Sequence, residues 1–187
     1  MSSPQTAAQE TILQRRTVHD YTRQPLPEGA LERALECALR APNHKLTNPW
    51  RFTRLGPKAR QALTLLALDL KCPDRANPKR VETIRAKFTN PPELVVVSQL
   101  RNPQDPLRQK EDYAAVACAI QNISLSLWSE GVGSKWSSGG VTRHERTRAL
   151  AQIPEEEEVV GFVWMGYPEK VPNPPRAPLS AVLKQVE

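Results

Sequence analysis

The sequence predicts an α+β fold, a sandwich in which a central, mainly antiparallel sheet is flanked by helices, within one domain spanning residues 1–187. Three observations predict it. Helical and strand-like stretches follow one another without regular β-α alternation, which argues against a doubly wound parallel sheet. The run "LVVVSQL", Leu94 to Leu100, is continuously apolar at its start, as a strand covered on both faces requires. The run from Glu111 to Glu130, "EDYAAVACAIQNISLSLWSE", carries small and apolar residues nearly all the way round, so that helix needs cover on several sides. So short a chain has few elements to give that cover, and a second subunit is the expected source; an ordinary central core helix is the alternative reading.

The elements are justified in order. Thr6 to Arg16 suits a helix that ends where β-branched Thr17 and Val18 begin, with two arginines in its last turn. In "LPEGALERALECALRAP" the residues Leu31, Ala34, Leu35, Ala38 and Leu39 recur at three- and four-residue spacing; Pro27 suits the first turn and Pro42 forbids continuation. A loop follows, "RAPNHKLTNPWRF". "WRFTRL" then alternates as a strand, and "PKARQALTLLALDL" is a proline-started helix. "CPDRANPKR" reads as a surface loop, "VETIRAKF" as a helix stopped by "TNPPE", and Leu94 to Leu100 as the central strand. After the long helix comes "GVGSKWSSGG", then a helix in which Thr142 and Glu145 have capping-box spacing. "VVGFVWMGY" is the last strand. From about residue 168 a segment with five prolines, "PEKVPNPPRAPLSAVL", predicts an extended arm.

Composition narrows the function classes. With 39% hydrophobic and 25% charged residues the chain is globular in type. No run is long enough for a bilayer span, and the first residues lack the apolar core of a signal peptide, so no membrane association and a cytoplasmic location are expected. Cys37, Cys72 and Cys118 are an odd number at wide spacing, which suits reduced thiols better than disulfides or a zinc knuckle. The net charge of +6 is spread along the chain among acidic residues, with no polybasic tail, which favours small anionic ligands over nucleic acid.

The chemistry-bearing groups are few. There is no G-x-S-x-G, no H-E-x-x-H and no P-loop, and "GVGSKW" has tryptophan where a dinucleotide fingerprint has its third glycine. His19, His44 and His144 lack ligand neighbours at helical spacing, so no metal is expected. What remains is anion- and ring-friendly. Arg15, Arg16 and Thr17 combine two guanidinium forks with a hydroxyl at a helix end, although an arginine pair also suits a solvated face. "SKWSSGG" sets a tryptophan beside serines and glycines that allow close backbone approach, or else simply starts a strand tightly. The loop from Arg40 to Phe52 is rich in hydrogen-bonding groups, which either face a ligand or satisfy their own turn.

Taken together, "RRT" after a first helix, "APNHKLTNPWRF" some two dozen residues later, "GVGSKWSSGG" after a long helix and the late "VVGFVWMGYP" resemble the nitroreductase family, and among its members the small YdjA-like proteins. The resemblance runs across essentially the whole chain. It implies a homodimer binding flavin mononucleotide (FMN), with NADH or NADPH as hydride donor and a nitroaromatic or quinone as small-molecule electron acceptor. The two substrates would use one site in turn, by ping-pong transfer through flavin N5. The implied cofactor contacts are Arg15, Arg16, Thr17, Trp136, Ser137 and Ser138, with Arg40 and His44 reaching the flavin of the partner subunit. The flavin carries the chemistry, so no catalytic side chain is implied. Arg176 matches a basic residue near the phosphate in many members; Asn43, Lys45 and Asn48 join the pocket, and Arg16 or Lys45 is the expected cation near flavin N1. Leu46 stands where many relatives have asparagine.

Overall fold

The structure, a computed structural model, describes residues 6–186. Its elements are α1 (Ala7–Gln14), α2 (Ala30–Ala38), β1 (Trp50–Arg54), α3 (Pro57–Lys71), α4 (Pro78–Thr89), β2 (Glu93–Leu100), α5 (Pro106–Ser129), β3 (Gly133–Ser137), α6 (Gly140–Arg143), α7 (Glu145–Leu150) and β4 (Glu157–Gly166). The strands form one sheet in the order β1-β2-β4-β3, antiparallel throughout. The apolar run of β2 is central, as its composition requires, and β3 forms an edge.

Pleating divides the sheet into two faces, each with its own core. On one face Leu94, Val96, Phe162 and Trp164 meet Leu63, Leu66, Ile84 and Phe88 of α3 and α4. On the other, Val95, Val97, Val163 and Met165 meet Leu31, Ala34, Val116, Ile120 and Leu127 of α2 and α5. Helices therefore cover both faces of a thin sheet. Within the chain, α5 is buried along one stripe from Asp112 to Leu127 and not all round; Ala114, Cys118 and Gln121 remain exposed on its other side.

Local chemistry moves several boundaries from those the sequence predicts. α1 opens with a Thr6–Gln9 capping box and ends at Gln14, because Arg15 turns extended (φ −53°, ψ 135°). The chain leaves the helix there to let Thr17 bridge Ser134 of β3. α2 starts at Ala30 after Gly29, whose φ of +70° makes the turn, so Pro27 lies ahead of the helix. α4 begins at Pro78 under an Asn77 cap that accepts from the Arg80 N–H at 3.0 Å, shortening the expected loop. α5 begins at Pro106 under Asp105. The Thr142–Glu145 capping box does not form: Thr142 is buried inside α6, and His144 caps α7 instead, its Nδ1 accepting from the Arg146 N–H at 3.1 Å.

Residues 168–186 run extended and mostly exposed, with one short 3-10 turn at Leu179–Ala181. The segment is tied to the body where it starts: Pro168 bridges Tyr21, and the Glu169 N–H donates to the Asp20 carbonyl at 3.0 Å. Among the described residues no helix is long and apolar enough to cross a membrane.

Candidate functional site

The turn out of α1 gathers positive charge. Arg16 wraps back on the helix end, its Nη1 donating to the Leu13 carbonyl at 2.7 Å and the Arg15 carbonyl at 3.1 Å. Its Nη2 donates to Asn173 Oδ1 at 3.2 Å and so ties down the C-terminal segment. Burial pulls the Arg15 pKa down, and the charges of Arg176 and Arg16 pull it further, so the three guanidinium groups share one neighbourhood. Among the described residues none of the three pairs with a carboxylate. Three cations held together without a counter-ion repel one another, and a phosphate dianion relieves that repulsion.

The next residues open onto the β3 edge. The Val18 N–H donates to the Ser134 carbonyl at 3.1 Å, which shows that Ser134 points its backbone away from β4. Within β3 this orientation alternates, so Trp136 also presents its N–H and C=O to the open side. Trp136 is 37% exposed, and its indole rests on Gly161, where a Cβ would lie 2.2 Å from Nε1. Ser137 faces the opposite way: its Oγ accepts from the core Trp164 Nε1 at 2.8 Å. Ser134 Oγ is buried and has no hydrogen-bond partner among the described residues.

Two cavities flank this edge. One, of about 710 Å³, is lined by His19, Asp20, Lys79, Lys87, Lys135 and Glu169 among others. Burial, then the charges of Lys135 and Lys71, push the Lys87 pKa down to about 8. Burial and Lys71 lower the Lys135 pKa, against the opposing pull of Asp20. For His19, burial acts first and Lys135 second, again lowering the pKa while Asp20 works the other way. The other cavity, about 590 Å³, contains Ser138. Lys87, Lys135 and His19 as one cationic set were missed in the sequence. Lys87 carries no signal there beyond a polar helix position, and Lys135 sits inside "SKWSSGG", read for its tryptophan and serines.

The loop after α2 behaves differently. Asn43 and Asn48 serve the loop itself: Asn43 Nδ2 donates to Thr47 Oγ1 at 2.9 Å, and the Asn48 N–H donates to Asn43 Oδ1 at 2.7 Å. Thr47 Oγ1 donates to the buried Asp112 at 2.6 Å, pinning the loop to α5. His44 lies 3.3 Å from Glu111, and Arg108 donates to the His44 carbonyl at 3.2 Å. Lys45, Leu46 and Asn48 all hold left-handed backbones (φ 57°, 52° and 47°), a strained geometry for side-chain-bearing residues. It turns Lys45 and Leu46 outward, Leu46 to 77% exposure. Arg40 is exposed. The candidate residues thus fall into two groups. Thr17 pairs with Ser134 at the start of β3, with Arg15 and Arg16 on the turn before it; Trp136, Ser137 and Ser138 lie further along that stretch, and Arg40 and His44 stand on a loop tied to α5 through Thr47.

Comparison with known proteins bears on the family and the fold. An Escherichia coli protein provisionally named NAD(P)H nitroreductase YdjA is 26% identical over 164 residues, 87% of this chain and 88% of its own. A nitroreductase-like family protein from Bacillus cereus superimposes with a TM-score of 0.84 at 28% identity, each chain fully covered. A Desulfovibrio desulfuricans protein provisionally described as a nitroreductase, solved in complex with FMN, shares the fold with a TM-score of 0.75 at 20% identity over 98% of this chain and 99% of that one. The profile of the Nitroreductase family matches residues 12–167, and the chain belongs to that family.

Proposed function

We propose that the protein is an FMN-dependent NAD(P)H oxidoreductase that works as a homodimer and reduces nitroaromatic or quinone-type acceptors. The observation that carries this reading is the set of three guanidinium groups, Arg15, Arg16 and Arg176, which have no carboxylate partner among the described residues and stand beside the start of β3. Bound FMN supplies the redox chemistry, accepting a hydride from NAD(P)H and giving the electrons to the acceptor. The chain's residues hold it in place. The guanidinium set would take the phosphate and Thr17 the ribityl chain; the outward backbone of Trp136, with Ser138 just past the strand, would meet the polar rim of the ring, and the Trp136 indole its face. Ser137 contributes through its backbone, because its hydroxyl is held by Trp164.

The cation beside flavin N1 is reassigned from the sequence expectation. Arg16 is placed with the phosphate set at the α1 end, and Lys45 sits on the loop that packs on α5. Lys87 and Lys135 line one cavity beside β3, and their mutual repulsion would be relieved by an electron-rich ring edge. Three features favour a homodimer: the exposed side of α5, the outward-turned loop carrying Arg40 and His44, and the exposed apolar residues Leu179, Val182 and Leu183 of the arm. In that assembly Arg40 and His44 approach the FMN of the partner subunit.

The test is the purified protein's absorption spectrum, with its mass by light scattering. A flavin spectrum at dimer mass, bleached without air by NADH or NADPH and restored by a quinone or nitroaromatic, is the expected result. A monomer that takes up no added FMN ends the proposal.

A further inference from the structure

The second cavity, beyond Ser138, has no part in holding the cofactor in the reading above. It is lined by Arg101, Tyr113, Ser138, Thr142, Arg143, His144, Glu145, Arg148, Glu158, Val159 and Val160, and its walls differ in kind. Val160 is buried and the Tyr113 ring stands half exposed, and these two give the lining its apolar part. The polar side is weighted toward donors. Arg101 and Arg143 are exposed and form no ion pair among the described residues. His144 uses Nδ1 to accept from the Arg146 N–H, which leaves its hydrogen on Nε2 as a donor. Thr142 is only 3% exposed yet lines the cavity, and its hydroxyl has no hydrogen-bond partner among the described residues.

The remaining charges are accounted for. Arg148 is a strut, its guanidinium donating to the carbonyls of Glu157 and Pro154. Glu158 accepts from Gln109 at 3.1 Å, and Glu145 stands at the exposed start of α7. Two uncommitted guanidinium groups, an imidazole N–H and a buried hydroxyl therefore converge on a space that begins at the candidate cofactor edge.

The geometry points to a subsite for the oxyanion of the redox substrate: a phosphate or carboxylate held by Arg101, Arg143, His144 and Thr142 while the substrate's ring lies over the flavin beside Ser138. This inference rests on the FMN reading and adds to it a preference for anionic over neutral substrates. The shared chemistry is an oxyanion, which the donor carries as phosphates and an aromatic acceptor as a carboxylate.

The experiment compares the FMN-loaded wild type with Arg143→Gln and Arg101→Gln, both at exposed positions. Each is assayed with NADPH against 1-benzyl-1,4-dihydronicotinamide, a donor without phosphate, and with 4-nitrobenzoate against nitrobenzene. Loss of one charge-assisted contact is expected to lower kcat/KM for the anionic member of a pair about tenfold and leave the neutral member unchanged. An effect confined to the donor pair identifies a phosphate, and one confined to the acceptor pair a carboxylate; either supports the subsite. Unchanged ratios in both pairs, with FMN bound at full occupancy, overturn the subsite and leave the cofactor reading standing. Protein that takes up no FMN overturns both.

Discussion

Replacing Gly161 by alanine tests the placement of Trp136 directly. The added Cβ would lie 2.2 Å from Trp136 Nε1, 2.5 Å from its Cδ1 and 3.1 Å from the Ser137 carbonyl oxygen. Ordinary contact for such atoms is about 3.5 Å, so the indole must retreat by roughly 1.3 Å. It has room to do so, being 37% exposed, and the backbone oxygen needs to yield only a few tenths of an ångström. The stability cost therefore falls at the low end of overpacking, about 1 kcal/mol. The greater effect is on the cofactor. If the indole forms one wall of the flavin site, displacing it removes an aromatic contact of about 0.5–1.5 kcal/mol together with its buried apolar area, and FMN binds roughly tenfold more weakly. The assay is FMN titration of the apoprotein by flavin fluorescence, alongside urea unfolding of the same apoprotein. Gly133→Ala is the contrast: its Cβ would meet Val18 Cγ2 at 2.5 Å and Cβ at 2.9 Å, and fully buried Val18 has nowhere to move, so stability drops by several times as much. Wild-type FMN affinity in Gly161→Ala would refute the indole's place beside the flavin.

Three further outcomes follow from other residues. Arg176→Gln is expected to weaken FMN binding about tenfold or more and leave riboflavin, which has no phosphate, unaffected; equal effects on the two ligands would remove Arg176 from the phosphate site. Lys87 has a folded-state pKa of about 8 against 10.5 when unfolded, so its protonated form opposes folding. That opposition is complete below pH 8 and fades as pH rises to 10.5, so apoprotein stability should climb across this window in wild type relative to Lys87→Met, as urea midpoints at several pH values would show. Thr47→Val removes the hydroxyl that donates to buried Asp112, and leaving that carboxylate without its partner should cost about 1–3 kcal/mol in urea unfolding, with equal midpoints as the contrary result.

The fold was legible in the sequence wherever periodicity and apolar runs carry it. The central position of β2 follows from Leu94 to Val97, and the long helix from Glu111 onward was recognisable, although its first turn was hidden until Asp105 and Pro106 were seen as cap and first residue. Half of the candidate site was legible too, because Arg15, Arg16 and Thr17 are adjacent in sequence and Trp136 to Ser138 likewise. What joins the two stretches, the Thr17–Ser134 bridge, is a long-range pairing that no local pattern records. The same holds for Lys87, which comes close to Lys135 only because α4 packs on the face of the sheet that Lys135 shares with Trp164. The loop's many polar groups misled in one respect: Asn43, Thr47 and Asn48 are occupied in building the turn, and what it displays is Arg40, His44, Lys45 and Leu46.

The β3 edge also explains why the charges lie where they do. An open strand edge with unpaired N–H and C=O groups invites another strand, and proteins commonly guard such edges with charge. Here the edge is short; it is partly closed by Thr17 and Val18, and it is flanked by the arginine cluster, by Lys87 and Lys135, and by the uncommitted guanidinium groups of Arg101 and Arg143. Positive charge around an edge repels a second copy of the same edge and attracts a flat, electron-rich anion that can use the free backbone groups. Protection against strand pairing and recognition of a phosphorylated aromatic cofactor therefore make the same demand on the sequence. Reversing that charge should impair both at once: Lys87→Glu combined with Lys135→Glu is expected to abolish FMN uptake and to increase self-association of the apoprotein at low salt, where the reversed edge meets the arginine cluster of another copy.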